Sequence, residues 1–219
     1  MTLKLKGNAP IYSLAEELMS SISHGVGTLL SVAALVVGVV LAALCSDAWG
    51  VVSMAVYGAA LVILYSMSTI YHGLRPNKGK RVLRVLDHCS VFLLIAGTYT
   101  PLTLVSLRGA VGWVLFGIVW GAAVLGIVLN AVSLNRFKIF SMVCYIAMGW
   151  VIIFAFQPLL AVMRPGGIAL LLTGGVAYTI GAVLYGLGKK VKYMHSIFHF
   201  FVLAGSILHY FCILFYVIQ

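Results

Sequence analysis

Acidic side chains are almost missing from this sequence. Glu16, Glu17, Asp47 and Asp87 are the only four in 219 residues, and charged residues of both signs make up 8% of the chain. A soluble domain carries about 25%, so there are too few charges to cover a water-facing surface. Cysteine is sparse and scattered. Cys45, Cys89, Cys144 and Cys212 form no C-x-x-C and fall in or beside different apolar runs, which argues against a zinc ribbon or disulfide framework and for buried small hydrophobes. No lysine stands in the middle of an apolar run, so a retinal Schiff base is excluded. Phosphate-loop, G-x-S-x-G and dinucleotide fingerprints are absent. The net charge is +10, yet no basic run is interleaved with aromatics as a base-stacking groove requires, so nucleic acid is not an expected partner. The opening stretch, "MTLKLKGNAPIYSLAEELMS", lacks an apolar core and a cleavage site and is not expected to be a signal peptide.

What is there instead is hydrophobic, 63% of the chain. A transmembrane helix needs about 20 mostly apolar residues. Seven runs qualify: about 22–44, 50–72, 85–107, 110–132, 138–160, 166–188 and 194–218. The expected fold is therefore an all-α integral membrane protein, a single seven-helix domain over 22–218, with 1–21 as a cytoplasmic N-terminal segment. Pro101 and Pro158 fall in the third and fifth runs, where each either kinks its helix or sits near its end. Gly117 and Gly121 are spaced G-x-x-x-G, and Gly174, Gly175 and Gly181 crowd the sixth run; such residues suit close helix approach, within the chain or between copies. They do not fix the oligomeric state.

Loop charges give the orientation. Lys4, Lys6, Arg75, Lys78, Lys80, Arg81, Arg84, Arg136, Lys138, Lys189, Lys190 and Lys192 fall on one side of the seven runs, and only Arg108 and Arg164 on the other. Positive charge marks the cytoplasmic side, so the N-terminus is expected inside and the C-terminus outside.

With that orientation, polar residues from distant parts of the chain reach one depth. His195 and His199 open the seventh run one helical turn apart, on one face. His72 ends the second run and Asp87 begins the third, both at the cytoplasmic end. These are four candidate ligands from three helices. An acid within a span is a functional hypothesis by default; the alternative for Asp87 is an interfacial helix cap paired with Arg84. Three neutral imidazoles that leave one position open form a catalytic-type zinc set, and imidazole also suits copper, iron and nickel. Ser68 lies one turn before His72 and either orients a ligand or bonds back to its own helix. His24 and His88 lie near the same end. His209 is ten residues past His199, roughly 15 Å along a helix, too far to join and placed for helix–helix bonding. Ionisable residues gathered at one end do not form a transport path.

The stretches "EELMSSISHGVG" (16–27), "SMSTIYH" (66–72), "LDHCSVFLLIAGTYTP" (86–101), "AMGW" (147–150) and "HSIFHFFVLAGSILH" (195–209) together give S-x-x-x-H, then Asp, then H-x-x-x-H. In these the chain resembles, over essentially its whole length, the bacterial haemolysin III-like proteins. Through them it resembles the progestin and adiponectin receptor superfamily with its alkaline-ceramidase relatives. The resemblance implies a cytoplasmic-side zinc site with His72, His195 and His199 as ligands, Asp87 holding the zinc-bound water and Ser68 beside it. Ser20 stands where relatives often carry Asn. Some relatives hydrolyse lipid amides, others are described as receptors, and the bacterial branch takes its name from haemolysis. The leading expectation is a zinc-containing protein of the bacterial cytoplasmic (inner) membrane that acts on membrane lipids, hydrolysing an amide or ester, or adjusts membrane state. The second is a non-enzymatic receptor-like protein with structural zinc, and the third a cytolytic protein.

The orientation can be tested directly. A C-terminal reporter that is active only in the cytoplasm is expected to stay silent, and a strong signal from it overturns the charge argument.

Overall fold

Helix starts are encoded locally. The computed structural model describes residues 12–188 and 190–218; Lys4, Lys6 and Lys189 of the charge argument lie outside them. Ser13 opens α1 (Leu14–Cys45) with a reciprocal capping box. Its hydroxyl accepts the Glu16 N–H at 3.3 Å, and the Glu16 carboxylate accepts the Ser13 N–H at 2.8 Å. This cap carries the helix back through 14–21, two turns ahead of the first apolar run. Asp47 caps α2 (Ala48–Gly73) through the Gly50 N–H, and Asn77 caps α3 (Lys78–Pro101) through the Lys80 N–H. Pro101, which has no N–H to donate, is the last residue of α3; beyond it the hydrogen bonds widen into a π-helical turn, Leu102–Ser106. Gly109, at φ 110°, supplies the left-handed bend before α4 (Ala110–Trp150). A tight turn, Val151–Ala155, leads to the short α5 (Phe156–Val162), where Pro158 falls in the first turn and is tolerated. Pro165 starts α6 (Pro165–Leu187) and α7 (Met194–Tyr216) follows.

Six helical stretches are long and apolar enough to cross a membrane, where the sequence leads one to expect seven. The difference lies in Ala110–Val162, a single 53-residue stretch that covers the fourth and fifth runs. The polar residues between those runs, 133–138 with Arg136 and Lys138, are taken into the helix instead of forming a loop; one residue, Ser133 (φ −162°, ψ 90°), leaves helical geometry. On an unbroken helix Asn130 and Ser141 would stand roughly 16 Å apart. Their side chains are instead hydrogen-bonded at 2.7 Å, and Tyr145 lies 3.5 Å from Asn130. The chain therefore turns back at Ser133.

The packing is inverted relative to a soluble protein. Phe154 is 87% exposed and Ile139 77%, while Ser20, Asn130 and Ser196 are fully buried. Lipid offers no hydrogen bonds, so polar groups turn inward and pair there. Ser206 of α7 accepts from the Tyr65 hydroxyl (α2) and shares a hydrogen bond with that of Tyr178 (α6), each at 2.7 Å. Trp150 donates to Thr179 at 3.0 Å, and Trp120 to Thr100 at 3.1 Å. Small residues admit these close contacts. Gly174 makes room for His209, and Gly181 faces Phe198 and Phe201. Gly117 and Gly121 differ: no atom of the described residues would lie within 4 Å of an added Cβ, so that pair packs no helix within this chain.

Gly97 seats α3 against α2. A Cβ there would stand 2.7 Å from that of Ala60 and 3.6 Å from the Tyr57 backbone. Gly97→Leu is expected to destabilise the fold by about 1–3 kcal/mol, read as a lower melting temperature in detergent. Gly117→Leu should leave it unchanged.

Candidate metal centre

The site is assembled from the ends of two helices. His195 and His199 sit on successive turns at the start of α7, and the i, i+4 spacing sends both rings to one side. His72 is the next-to-last residue of α2. All three are buried. His195 Nε2 lies 3.4 Å from His72 Nε2 and 3.2 Å from His199 Nε2. One donor atom from each ring falls within 4.8 Å of the others. A tetrahedral ion with metal–nitrogen bonds of 2.0–2.1 Å holds its ligands about 3.3–3.4 Å apart, which is the spacing of two of the three nitrogen pairs. Three imidazoles facing one another through Nε2 cannot all be satisfied by sharing protons, and the cluster could hold a metal ion.

The surroundings hold the rings in place. Glu17 Oε2 accepts from His72 Nδ1 at 2.7 Å, and Glu17 Oε1 accepts from Lys80 Nζ at 2.7 Å. Tyr193, in the left-handed conformation at φ 65°, starts α7, and its N–H is held by Glu16 Oε1 at 2.8 Å. Ser196 donates to the Glu16 carbonyl at 3.1 Å and lies 3.2 Å from the Ser20 hydroxyl. The small side chain at Ser20 thus sits at the α1–α7 contact. Tyr12 stacks flat on His195, with ring centroids 4.4 Å apart. His24 is buried with its ring centroid 3.9 Å from that of His199, and neither of its nitrogens has a partner among the described residues.

An internal cavity of about 160 Å³ begins at His195 and His199 and runs between apolar side chains toward Tyr178 and His209. Asp87, Ser68, His24 and His88 border it as well. Asp87 lies in the third turn of α3, well past the Asn77 cap. Its carboxylate is 3.5 Å from His88 Nδ1, and Arg84 donates instead to Asn135 at 3.3 Å. Among the described residues, then, Asp87 neither caps a helix nor pairs with Arg84. Ser68 is buried one turn below His72. His88 contacts the Tyr185 hydroxyl at 3.2 Å. His209 stands apart from the cluster and meets the Leu171 carbonyl of α6 at 3.0 Å.

Glu16 and Glu17 both precede the apolar runs and so carry no membrane signal in the sequence. Their signal was periodicity: Glu17 lies seven residues, two helical turns, before His24, on the α1 face that meets the histidines.

The family described as "Haemolysin-III related" matches residues 12–210. Hemolysin-3 of Bacillus cereus is 42% identical over 203 residues, 93% of this chain and 92% of that protein. The Hemolysin-3 homolog of Bacillus subtilis (strain 168) is 40% identical over 209 residues, 95% and 98% respectively. More distantly, the monocyte to macrophage differentiation factor of Homo sapiens is 26% identical over 194 residues, 84% of this chain and 78% of that protein. No solved structure matches the chain. With its apolar helices and a match that takes in every residue of the histidine cluster, the chain belongs to the haemolysin III-related family of multi-pass membrane proteins.

Proposed function

We propose that this chain is a zinc-containing protein of the bacterial cytoplasmic membrane that hydrolyses an amide or ester bond in a membrane lipid. One observation carries the reading. Three imidazole nitrogens gather within 4.8 Å of one another, two of the pairs at 3.2 and 3.4 Å, and two of the rings line an apolar cavity that Asp87 and Ser68 also border. An all-nitrogen set with an open fourth position favours zinc in a catalytic-type site. The chain crosses the membrane seven times, because Ala110–Val162 folds back at Ser133, with the N-terminus inside and the histidines near the cytoplasmic face.

The residues then divide the work. His72, His195 and His199 hold the ion. When bound, zinc supplies a Lewis acid and brings the pKa of water toward about 7. The apolar cavity takes the lipid chain and excludes bulk water. Asp87 accepts the proton of the attacking water and delivers it to the leaving amine or alcohol as the acyl bond breaks. Ser68 orients the reacting groups from the α2 side. Basic residues at the cytoplasmic ends, Arg75, Lys78 and Arg81 among them, attract anionic headgroups.

A second reading has its own support. The polar ties between α7 and α2 are the histidine cluster and the bonds from Tyr57 and Tyr65 to α7. A metal there would fasten the two helices, and the protein would be receptor-like with structural zinc. The cytolytic reading rests on the names of the relatives; dye leakage from liposomes tests it.

Purified protein is expected to carry about one zinc per chain. His72→Ala, His195→Ala and His199→Ala should each lose it and His209→Ala should retain it; zinc retained in the triple ligand variant rules out the assignment. Incubation with lipid extracts, with products read by mass spectrometry, separates the first two readings. Asp87→Asn should keep zinc and melting temperature while turnover falls by about 10²–10⁴-fold. Turnover equal to wild type removes Asp87 as the base. Absence of turnover in wild type, with lower melting temperatures in the histidine variants, favours the structural role.

A further inference from the structure

We propose that Glu17 is the positioning residue of the metal site: it fixes the tautomer and ring plane of His72, and Lys80 holds it in place. The inference rests on the reading that the three histidines bind a metal.

The three ligands are not held alike. His195 and His199 are carried by adjacent turns of one helix, so the backbone of α7 sets their spacing. Neighbouring rings then fix their planes, Tyr12 stacked on His195 and Phe198 beside both. Neither Nδ1 has a hydrogen-bond partner among the described residues. His72 comes alone from the last turn of α2, where helical hydrogen bonding ends and side chains are least constrained. It is also the one ligand of the three with an acid on its second nitrogen, at 2.7 Å.

The chemistry of that contact has a definite direction. An ionised carboxylate can only accept, and Lys80 Nζ on the other oxygen of Glu17 favours the ionised form. The proton of His72 therefore sits on Nδ1, which leaves the Nε2 lone pair free toward His195 and His199. This is the carboxylate–histidine–metal arrangement that raises ligand basicity and fixes the ring.

Lys80 completes the clamp. Its ammonium donates to Glu17 and, at 2.9 Å, to the carbonyl of Leu74, the residue that caps α2. It also lies 5.2 Å from the centre of the Tyr71 ring. The start of α1, the end of α2 and the start of α3 are thereby joined around one imidazole. A second carboxylate, Asp87, borders the cavity with His195 and His199.

The test is zinc affinity of the full-length protein in detergent, measured by competition with a chelator, alongside the melting temperature of the metal-free form. Glu17→Ala is expected to weaken zinc binding by about 10–100-fold with little change in the metal-free melting temperature. Glu17→Gln, which can still accept from Nδ1 but lacks the charge, should recover part of that loss. Histidine-labelled NMR should show a downfield Nδ1 proton on His72 that disappears in Glu17→Ala. A Glu17→Ala protein that binds zinc as tightly as wild type, or a Glu17→Gln protein that binds it no better than Glu17→Ala, overturns the inference alone. A lower metal-free melting temperature with unchanged affinity does the same, since it marks a purely structural contact. Wild type that takes up no zinc overturns both the inference and the metal reading on which it rests.

Discussion

A polar group in hydrocarbon has no water to pair with, and every other feature of this molecule follows from that constraint. It makes the chain helical, because a helix satisfies its own backbone. It turns hydroxyls back on their own helices: Thr28 bonds the His24 carbonyl, Ser31 that of Gly27, Thr98 that of Leu94 and Thr179 that of Gly175. Hydroxyls and ring N–H groups with reach beyond their own helix become interhelical ties, as with Tyr65, Tyr178, Trp120 and Trp150. The surface left over is apolar and faces lipid.

Under the same constraint, three buried imidazoles gathered nitrogen to nitrogen form an arrangement that needs a partner. His24, against His199, adds a fourth ring with no partner of its own among the described residues. Burying a polar group without a hydrogen bond costs about 1–3 kcal/mol on mutational scales. A cation in the cluster would satisfy the facing Nε2 atoms, while Nδ1 of His195 and of His199 stays without a partner among the described residues; a polar ligand group in the cavity would pair His24. Anything that binds there would also stabilise the fold.

The first helix gives the site no ligand and still governs it. Glu16 fastens the left-handed Tyr193 that launches α7, and Glu17 fastens His72 at the end of α2. Two neighbouring acids thus register the two halves of the histidine cluster against each other. Glu16 also closes the capping box with Ser13, so the formation of the first turn of α1 and the alignment of the cluster depend on the same few atoms.

The sequence by itself determined the class of the protein, because long apolar runs with almost no charge permit only helices in lipid. It also brought the candidate ligands into view, because His195 and His199 share a face by spacing alone and His72 ends an apolar run. Tertiary structure decided the rest. The polar residues between the fourth and fifth runs are helical, and the fold-back at Ser133 divides the two. The G-x-x-x-G of Gly117 and Gly121 has the spacing of a packing motif, yet packing depends on what stands opposite, and among the described residues nothing does. Glu17 lay outside the apolar runs and so carried no membrane signal. Its role arises because α1 extends two turns beyond those runs and meets His72 and Lys80, which follow it by 55 and 63 residues. Residues that far apart in sequence are placed together only by the packing of three helices, and no local pattern records it.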